Sequence, residues 1–189
     1  MRENRVDFLI KYAFYDPSMP DEAINRLIRR LKRVPDRLAF AYFAAVLSKP
    51  IAELAKTRGF DADDVIVTYI PRSKKMILRD GYDQARLFAK AVGARTDYCV
   101  KPLLVRLKHG KQQKYLHIDE RIENVKGMFA CNSSYDVIGK TVMIVDDLVT
   151  TGATVSEAAS LLYGAGAKEV ICLCIAKSDA RHPKKQTLE

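Results

Sequence analysis

Several absences bound this chain of 189 residues before any motif is read. No apolar run approaches the ~20 residues of a membrane helix, so no membrane span is expected. The first residues, Met1-Arg2-Glu3-Asn4-Arg5, lack the apolar core of a signal peptide. Cysteines are few, and Cys99, Cys131, Cys172 and Cys174 form no spaced framework, so a reduced, cytoplasmic setting is the expectation. Cys172 and Cys174 lie two apart and share one side of a strand; with no partner ligands at suitable spacing, they read as core residues rather than a metal pair. Two common phosphate-binding signatures are missing: Gly-x-x-x-x-Gly-Lys-Ser/Thr and Gly-x-Gly-x-x-Gly. There is no internal repeat, linker or low-complexity segment.

What is present suits one globular domain with a sizeable core, since 48% of residues are hydrophobic and 29% charged. The formal net charge of +9 fits either an anionic partner, for which a polyphosphate metabolite or a nucleic acid would both serve, or simply a basic, well-solvated surface.

Residues 1–60 read as helical. After Pro20-Asp21, the apolar positions Ala23, Ile24, Leu27, Ile28 and Leu31 keep a helical period, and Val34-Pro35 ends the segment. Arg26, Arg29, Arg30, Lys32 and Arg33 crowd the rest of that helix, either as a solvated face or as a contact surface for nucleic acid or an acidic protein. A second helix spans 37–56; Pro50 is expected to break or kink it and Arg58-Gly59 to close it. Residues 65–70 form a strand, followed by the basic loop Pro71, Arg72, Ser73, Lys74 and Lys75. Open α/β sheets bind ligands at such a place, although an ordinary exposed loop fits too. Gly81-Tyr82-Asp83-Gln84 leads a helix that Gly93 is expected to cap. A short strand lies near 102–105. The polar stretch 108–123 reads as a mobile lid. An extended segment at 127–130, a turn at 133–136, a helix ending at Gly164-Ala165-Gly166 and a strand at 169–175 follow. Residues from 178 form a frayed, basic tail. The order of elements argues for an α/β fold, a doubly wound, mostly parallel sheet with a helical N-terminal cap: a single domain with the cap at 1–60, the core at 61–178 and the tail at 179–189.

The most informative stretch is 142–154. It opens with four apolar residues, the mark of a strand buried on both faces. Asp146 and Asp147 follow, then a loop and helix start with Thr150, Thr151, Gly152, Ala153 and Thr154. A strand–loop–helix leaves amide N–H groups free at the positive end of the helix, which suits an anion. Thr154 with Glu157 also fits a capping box, which would explain Thr154 without a ligand. It would not explain two adjacent carboxylates, which repel unless something uses them. Successive strand residues point to opposite faces, so both reach one ligand only if the chain turns there.

At these residues the chain resembles the type I phosphoribosyltransferases, whose motif for 5-phosphoribosyl-1-pyrophosphate (PRPP) looks like residues 145–154. More narrowly it resembles their ComF-like, competence-associated branch. The likeness includes Arg29-Arg30-Leu31-Lys32, Pro71, Gly81-Tyr82-Asp83-Gln84 (usually Gly-Phe-Asn-Gln), Gln113, Leu116, Glu120, Arg121, Asn124, Gly127 and Phe129. It lacks the cysteine-rich zinc module with which that branch usually begins. It also has Asp80 where an Arg is usual and Tyr69 where a proline is usual. The resemblance implies transfer of 5-phosphoribosyl from PRPP to a nitrogen acceptor. Thr150, Thr151, Gly152, Ala153 and Thr154 would hold the 5′-phosphate, and Asp146 and Asp147 the ribose hydroxyls, as catalytic residues. Pro71, Arg72, Ser73, Lys74 and Lys75 would contact the pyrophosphate. Arg106, Gln113 and Arg121 would belong to the lid. Magnesium would bridge pyrophosphate and ribose oxygens, with Asp146 as the one candidate direct ligand. The branch also leaves open a binding module for single-stranded DNA or a competence protein, and a homodimer.

Overall fold

A computed structural model describes residues 6–16, 18–19, 21–107 and 127–178. The lid candidates Gln113 and Arg121, the stretch 108–123 and the tail beyond 178 lie outside the described residues.

The centre is a five-stranded sheet in the order β1-β7-β6-β2-β3, with every pair parallel. Its strands are β1 (Phe8–Tyr15), β2 (Val65–Tyr69), β3 (Cys99–Val100), β6 (Thr141–Val149) and β7 (Glu169–Ser178). The middle strands are apolar on both faces, as a sheet covered on both sides requires. One face carries helices α2 (Arg37–Arg58) and α4 (Gln84–Thr96). There Phe40, Phe43, Leu47, Phe88 and Val92 meet Met143, Val145, Ile171 and Leu173. The other face carries α5 (Ala153–Gly164) and an antiparallel pair of strands, β4 (Leu104–Arg106) and β5 (Phe129–Cys131). There Leu104, Phe129, Val155, Ala158 and Leu162 cover Ile144 and Cys172. Cys172 and Cys174 are both core residues of this layer. The doubly wound α/β fold expected from the element order is therefore present.

Three local expectations are corrected. Residues 8–15 are not helical but form the edge strand β1, in register with β7 from Phe8↔Ile171 to Tyr15↔Ser178. Its Phe-Leu-Ile run and aromatic residues suit a strand, and its partner lies about 160 positions away, beyond any local pattern. The N-terminal helices α1 (Ala23–Leu31) and α2 pack on the sheet as expected, α2 beside α4 in one helical layer. Pro50 does not interrupt α2. Its missing amide strands the carbonyl of Val46 at an exposed turn, while Leu47 and Ile51 anchor the helix on either side. Gly93 does not end α4, which runs on to Thr96 with Asp97 as C-cap at φ 59°. Gly93 is a packing glycine, since a Cβ there would lie 2.3 Å from Val100 Cγ2 and 2.9 Å from Tyr98 O.

The expectation about membrane-length helices also needs qualifying. By length and composition α2, with 22 residues and an 18-residue window of mean hydropathy 1.4, could cross a membrane. Its inner face, Phe40, Phe43, Ala44, Leu47 and Ile51, is instead buried against the sheet and α4.

The winding places one feature decisively. The chain leaves β2 towards β3 on one side and leaves β6 towards β7 on the other. The C-terminal ends of β2 and β6 therefore flank the topological switch point, where open α/β sheets form a crevice.

Candidate functional site

A crevice of about 700 Å³ opens at this switch point. Its walls include Ile70, Pro71, Arg72 and Ser73 after β2, Lys75, Met76 and Arg79 from α3 (Lys74–Asp80), and Gln84 and Ala85 from α4. Asp146 and Asp147 of β6, Arg106 of β4 and Lys32 after α1 complete it. Five cationic side chains thus face two carboxylates across one space.

The carboxylate pair sits on a strand that does not turn. β6 continues through Asp146 and Asp147 to Val149, against the expected bend, and both residues still reach the crevice because they lie at the end of the sheet. Asp147 is buried and accepts a hydrogen bond from Gln84 Nε2 at 3.3 Å. Its own amide donates to Asp146 Oδ1 at 2.9 Å. Loss of water and the adjacent Asp147 carboxylate push the Asp146 carboxyl well above the ordinary carboxylate range. Gln84 Oε1 is buried with no partner, aimed into a polar site and left for a donor or a cation.

The loop after β2 is held from behind. Ser73 caps α3 by accepting from Met76 N at 3.3 Å. Arg72 donates its amide to Asp83 Oδ2 at 3.1 Å and Nη2 to Asp80 Oδ2 at 2.9 Å. Arg79 clamps the same carboxylate through Nε at 2.6 Å and Nη2 at 2.9 Å. Those Arg79 contacts, with Arg72 second, bring Asp80 down to about 2. Of the expected pyrophosphate residues, Pro71, Arg72, Ser73 and Lys75 line the crevice; Lys74 is exposed and does not.

Arg106 is the one expected lid residue that is described, and it forms crevice wall. It donates to Pro71 O at 3.2 Å and to Met128 Sδ at 2.8 Å, and lies 5.3 Å over the Phe129 ring. Its Nε is buried without a partner, and burial lowers its pKa from the usual arginine value.

The residues expected to hold a 5′-phosphate follow β6 as a separate shelf. Thr150 and Thr151 are exposed, Gly152 turns at φ +81°, and α5 starts at Ala153. Thr151 Oγ1 accepts from Ala153 N at 3.4 Å. Thr154 is not the N-cap, so the capping box that its spacing to Glu157 also fitted is absent. Gly152 holds that position without a side-chain bond, and Glu157 instead accepts from Gly127 N at 2.9 Å. None of Thr150, Thr151, Gly152, Ala153 and Thr154 lines the crevice.

Sequence reasoning put Lys32 only in the charge run after α1's apolar face and assigned no role to Met76, Arg79 or Gln84. Lys32 and Gln84 did stand inside motifs of the resemblance; Met76 and Arg79 carried no signal beyond the neighbouring cations. Tyr82 brings the first of these in, because its hydroxyl donates to Leu31 O at 2.7 Å and draws the end of α1 to the crevice. Outside, Arg26, Arg29, Arg30 and Arg33 line a shallower groove of about 500 Å³. Among the described residues no three His, Cys, Asp or Glu side chains gather as a metal cage. The oxygen donors at the crevice, two carboxylates and Gln84 Oε1, fit a hard cation that brings most of its own ligands, as magnesium does with phosphates.

Parallel winding, a crevice at the switch point, paired carboxylates opposite cations, and a glycine-turned helix start define an α/β protein with a charged crevice at the C-terminal ends of its strands. Residues 85–188 match the family described as "Phosphoribosyl transferase domain". The chain is 30% identical over 170 residues to "DNA utilization protein YhgH" of Escherichia coli (strain K12), covering 88% of this chain and 71% of that one. It is 26% identical over 151 residues to "Competence protein F" of Haemophilus influenzae, covering 79% and 66%. A hypoxanthine phosphoribosyltransferase from Staphylococcus aureus superposes with a TM-score of 0.48 at 14% identity, over 81% of this chain and 70% of that one. The chain belongs to the type I phosphoribosyltransferase family, in its ComF-like branch.

Proposed function

We propose that this protein binds PRPP and transfers its 5-phosphoribosyl group to a nitrogen acceptor, releasing pyrophosphate. The observation that carries the reading is the juxtaposition of Asp146 and Asp147 with Arg72, Lys75 and Arg106 in one crevice, with the Gly152 turn immediately beyond.

In this reading the C1–O bond to pyrophosphate breaks, the bonding pair leaves with the pyrophosphate, and C1 becomes oxocarbenium-like. The acceptor nitrogen supplies a lone pair for the new N–C1 bond and loses a proton. The two carboxylates accept the ribose hydroxyls and favour the positive charge at C1. Arg72, Lys75 and Arg106 face the leaving group, and amide N–H groups at the start of α5 hold the 5′-phosphate. Asp146, Asp147 and Gln84 Oε1 are the residues that would hold magnesium, which when bound neutralises leaving-group charge. The parts of the 5-phosphoribosyl donor thus span the crevice and the shelf after β6.

Calorimetry with PRPP and magnesium tests the reading; no heat at millimolar ligand overturns it. Pyrophosphate release measured against a panel of bases, amines and ammonia identifies the acceptor. Changing both Asp146 and Asp147 to Asn should reduce turnover more than donor binding, and surviving turnover would contradict their assigned role.

A second reading has its own observation: the groove of Arg26, Arg29, Arg30 and Arg33 shares no lining residue with the crevice and suits a polyanion. With relatives named for DNA utilization and competence, it supports a module that contacts single-stranded DNA or a competence protein. Binding to an oligonucleotide should fall steeply with salt, and no binding at low salt removes this reading.

A further inference from the structure

We infer that Asp80 sets the affinity of the anion subsite by occupying the Arg72 guanidinium, so that pyrophosphate must compete with a carboxylate of the protein itself. This deepens the proposed function and rests on reading the crevice as a pyrophosphate subsite.

The cations of the crevice are not equivalent. Among the described residues, Lys32, Lys75 and Arg106 have no carboxylate partner. Arg72 does: Nη2 meets Asp80 Oδ2 at 2.9 Å while Nη1 donates to Tyr82 O at 3.3 Å. The two side chains are only 9% and 11% exposed, so water screens this pair little. The Arg79 side chain, 67% exposed, holds both Asp80 oxygens from outside. Asp80 is thereby pinned by one guanidinium and presented to another whose residue lines the crevice. An arriving pyrophosphate meets an arginine already neutralised and a negative charge directly behind it. Asp80 ionises at about 2, so the competition is constant across neutral pH.

Asp80 touches no substrate in this scheme; it acts through Arg72 as a positioning residue. Support that merely holds the loop in place predicts weaker binding when it is removed. Competition predicts the opposite sign, confined to one ligand.

Binding of inorganic pyrophosphate and of ribose 5-phosphate, each with magnesium, is measured by calorimetry on wild type, Asp80→Asn and Asp80→Glu. Asp80→Asn keeps an oxygen acceptor for both arginines and deletes the charge. It should bind pyrophosphate about tenfold tighter, the lower end of what a like charge at this range contributes, with ribose 5-phosphate unchanged. Asp80→Glu restores the charge and should return pyrophosphate affinity towards wild type. Asp80→Ser provides the same comparison if the Asn variant does not fold. Pyrophosphate affinity that is unchanged or weaker in the charge-deleted chain overturns the inference while leaving the phosphoribosyltransferase reading intact. Wild-type protein that binds neither PRPP nor pyrophosphate overturns both.

Discussion

Gln84 on α4 donates Nε2 to Asp147 Oδ2 on β6 at 3.3 Å, and its Oε1 stays buried without a partner. One amide thus joins the two sides of the switch-point crevice with its carbonyl oxygen unspent. Gln84→Met keeps length and volume, gives up one long hydrogen bond and removes one orphaned acceptor. These effects oppose each other, so thermal unfolding should place the variant within about 1 kcal/mol of wild type. Calorimetry should show PRPP with magnesium binding more weakly. Unaltered ligand affinity would mean that Gln84 serves packing alone.

Asp146 carries a pH signature. Its carboxyl titrates well above 3.8 in the folded chain, because burial and Asp147 disfavour the charged form. The native state therefore keeps a proton that the unfolded chain has lost, and stability falls as pH rises from about 4 through the folded value. Asp146→Asn removes this dependence. Denaturant unfolding from pH 3.5 to 8 should show the variant gaining on wild type as pH rises; a constant difference would contradict the assignment.

Gly152 turns the chain from β6 into α5 at φ +81°, with nothing within 4 Å of the position a Cβ would take. Gly152→Ala therefore meets no collision and only the left-handed backbone, at about 1–2 kcal/mol. Unfolding should report that loss. With the 5′-phosphate on the shelf after β6 as proposed, ribose 5-phosphate should lose more affinity than pyrophosphate. Equal losses would dissociate the shelf from the 5′-phosphate.

Gly93 sits inside α4, where alanine would ordinarily help the helix by about 1 kcal/mol. Here its Cβ would lie 2.3 Å from Val100 Cγ2, so Gly93→Ala should destabilise by about 1–3 kcal/mol through overpacking. Adding Val100→Ala should recover part of the loss; the Tyr98 carbonyl at 2.9 Å keeps the rest. A stabilised single variant would show that α4 and β3 have room to separate.

The stretch 142–154 was legible because its signals are local: an apolar run, two carboxylates, a hydroxyl loop and a glycine. The same holds for Pro71, Arg72 and Ser73 at the end of a buried strand. β1 was not legible, since eight residues near the N-terminus gain their strand identity by pairing with β7. Pro50 and Gly93 misled for a related reason. Each is a breaker by local rule, and each is overruled by packing on both sides of it. Thr154 and Glu157 fit a capping box by spacing, but Gly127, brought near from another part of the chain, takes up Glu157.

By itself the sequence determined the class of fold, the position of the carboxylate pair and the cations after β2, and its motifs pointed to the family. These are properties of contiguous residues, fixed by side-chain period and by what a strand end or helix start leaves unpaired. Only the tertiary structure decided which groups share the crevice and what already occupies them. It brought Lys32, Gln84 and Arg106 to one space from three separate segments, left Thr150 to Thr154 on a shelf of their own, and set Asp80 against Arg72. The physical reason is that neutralisation, desolvation and orphaned hydrogen-bonding groups depend on distances across the sheet, which no local pattern encodes.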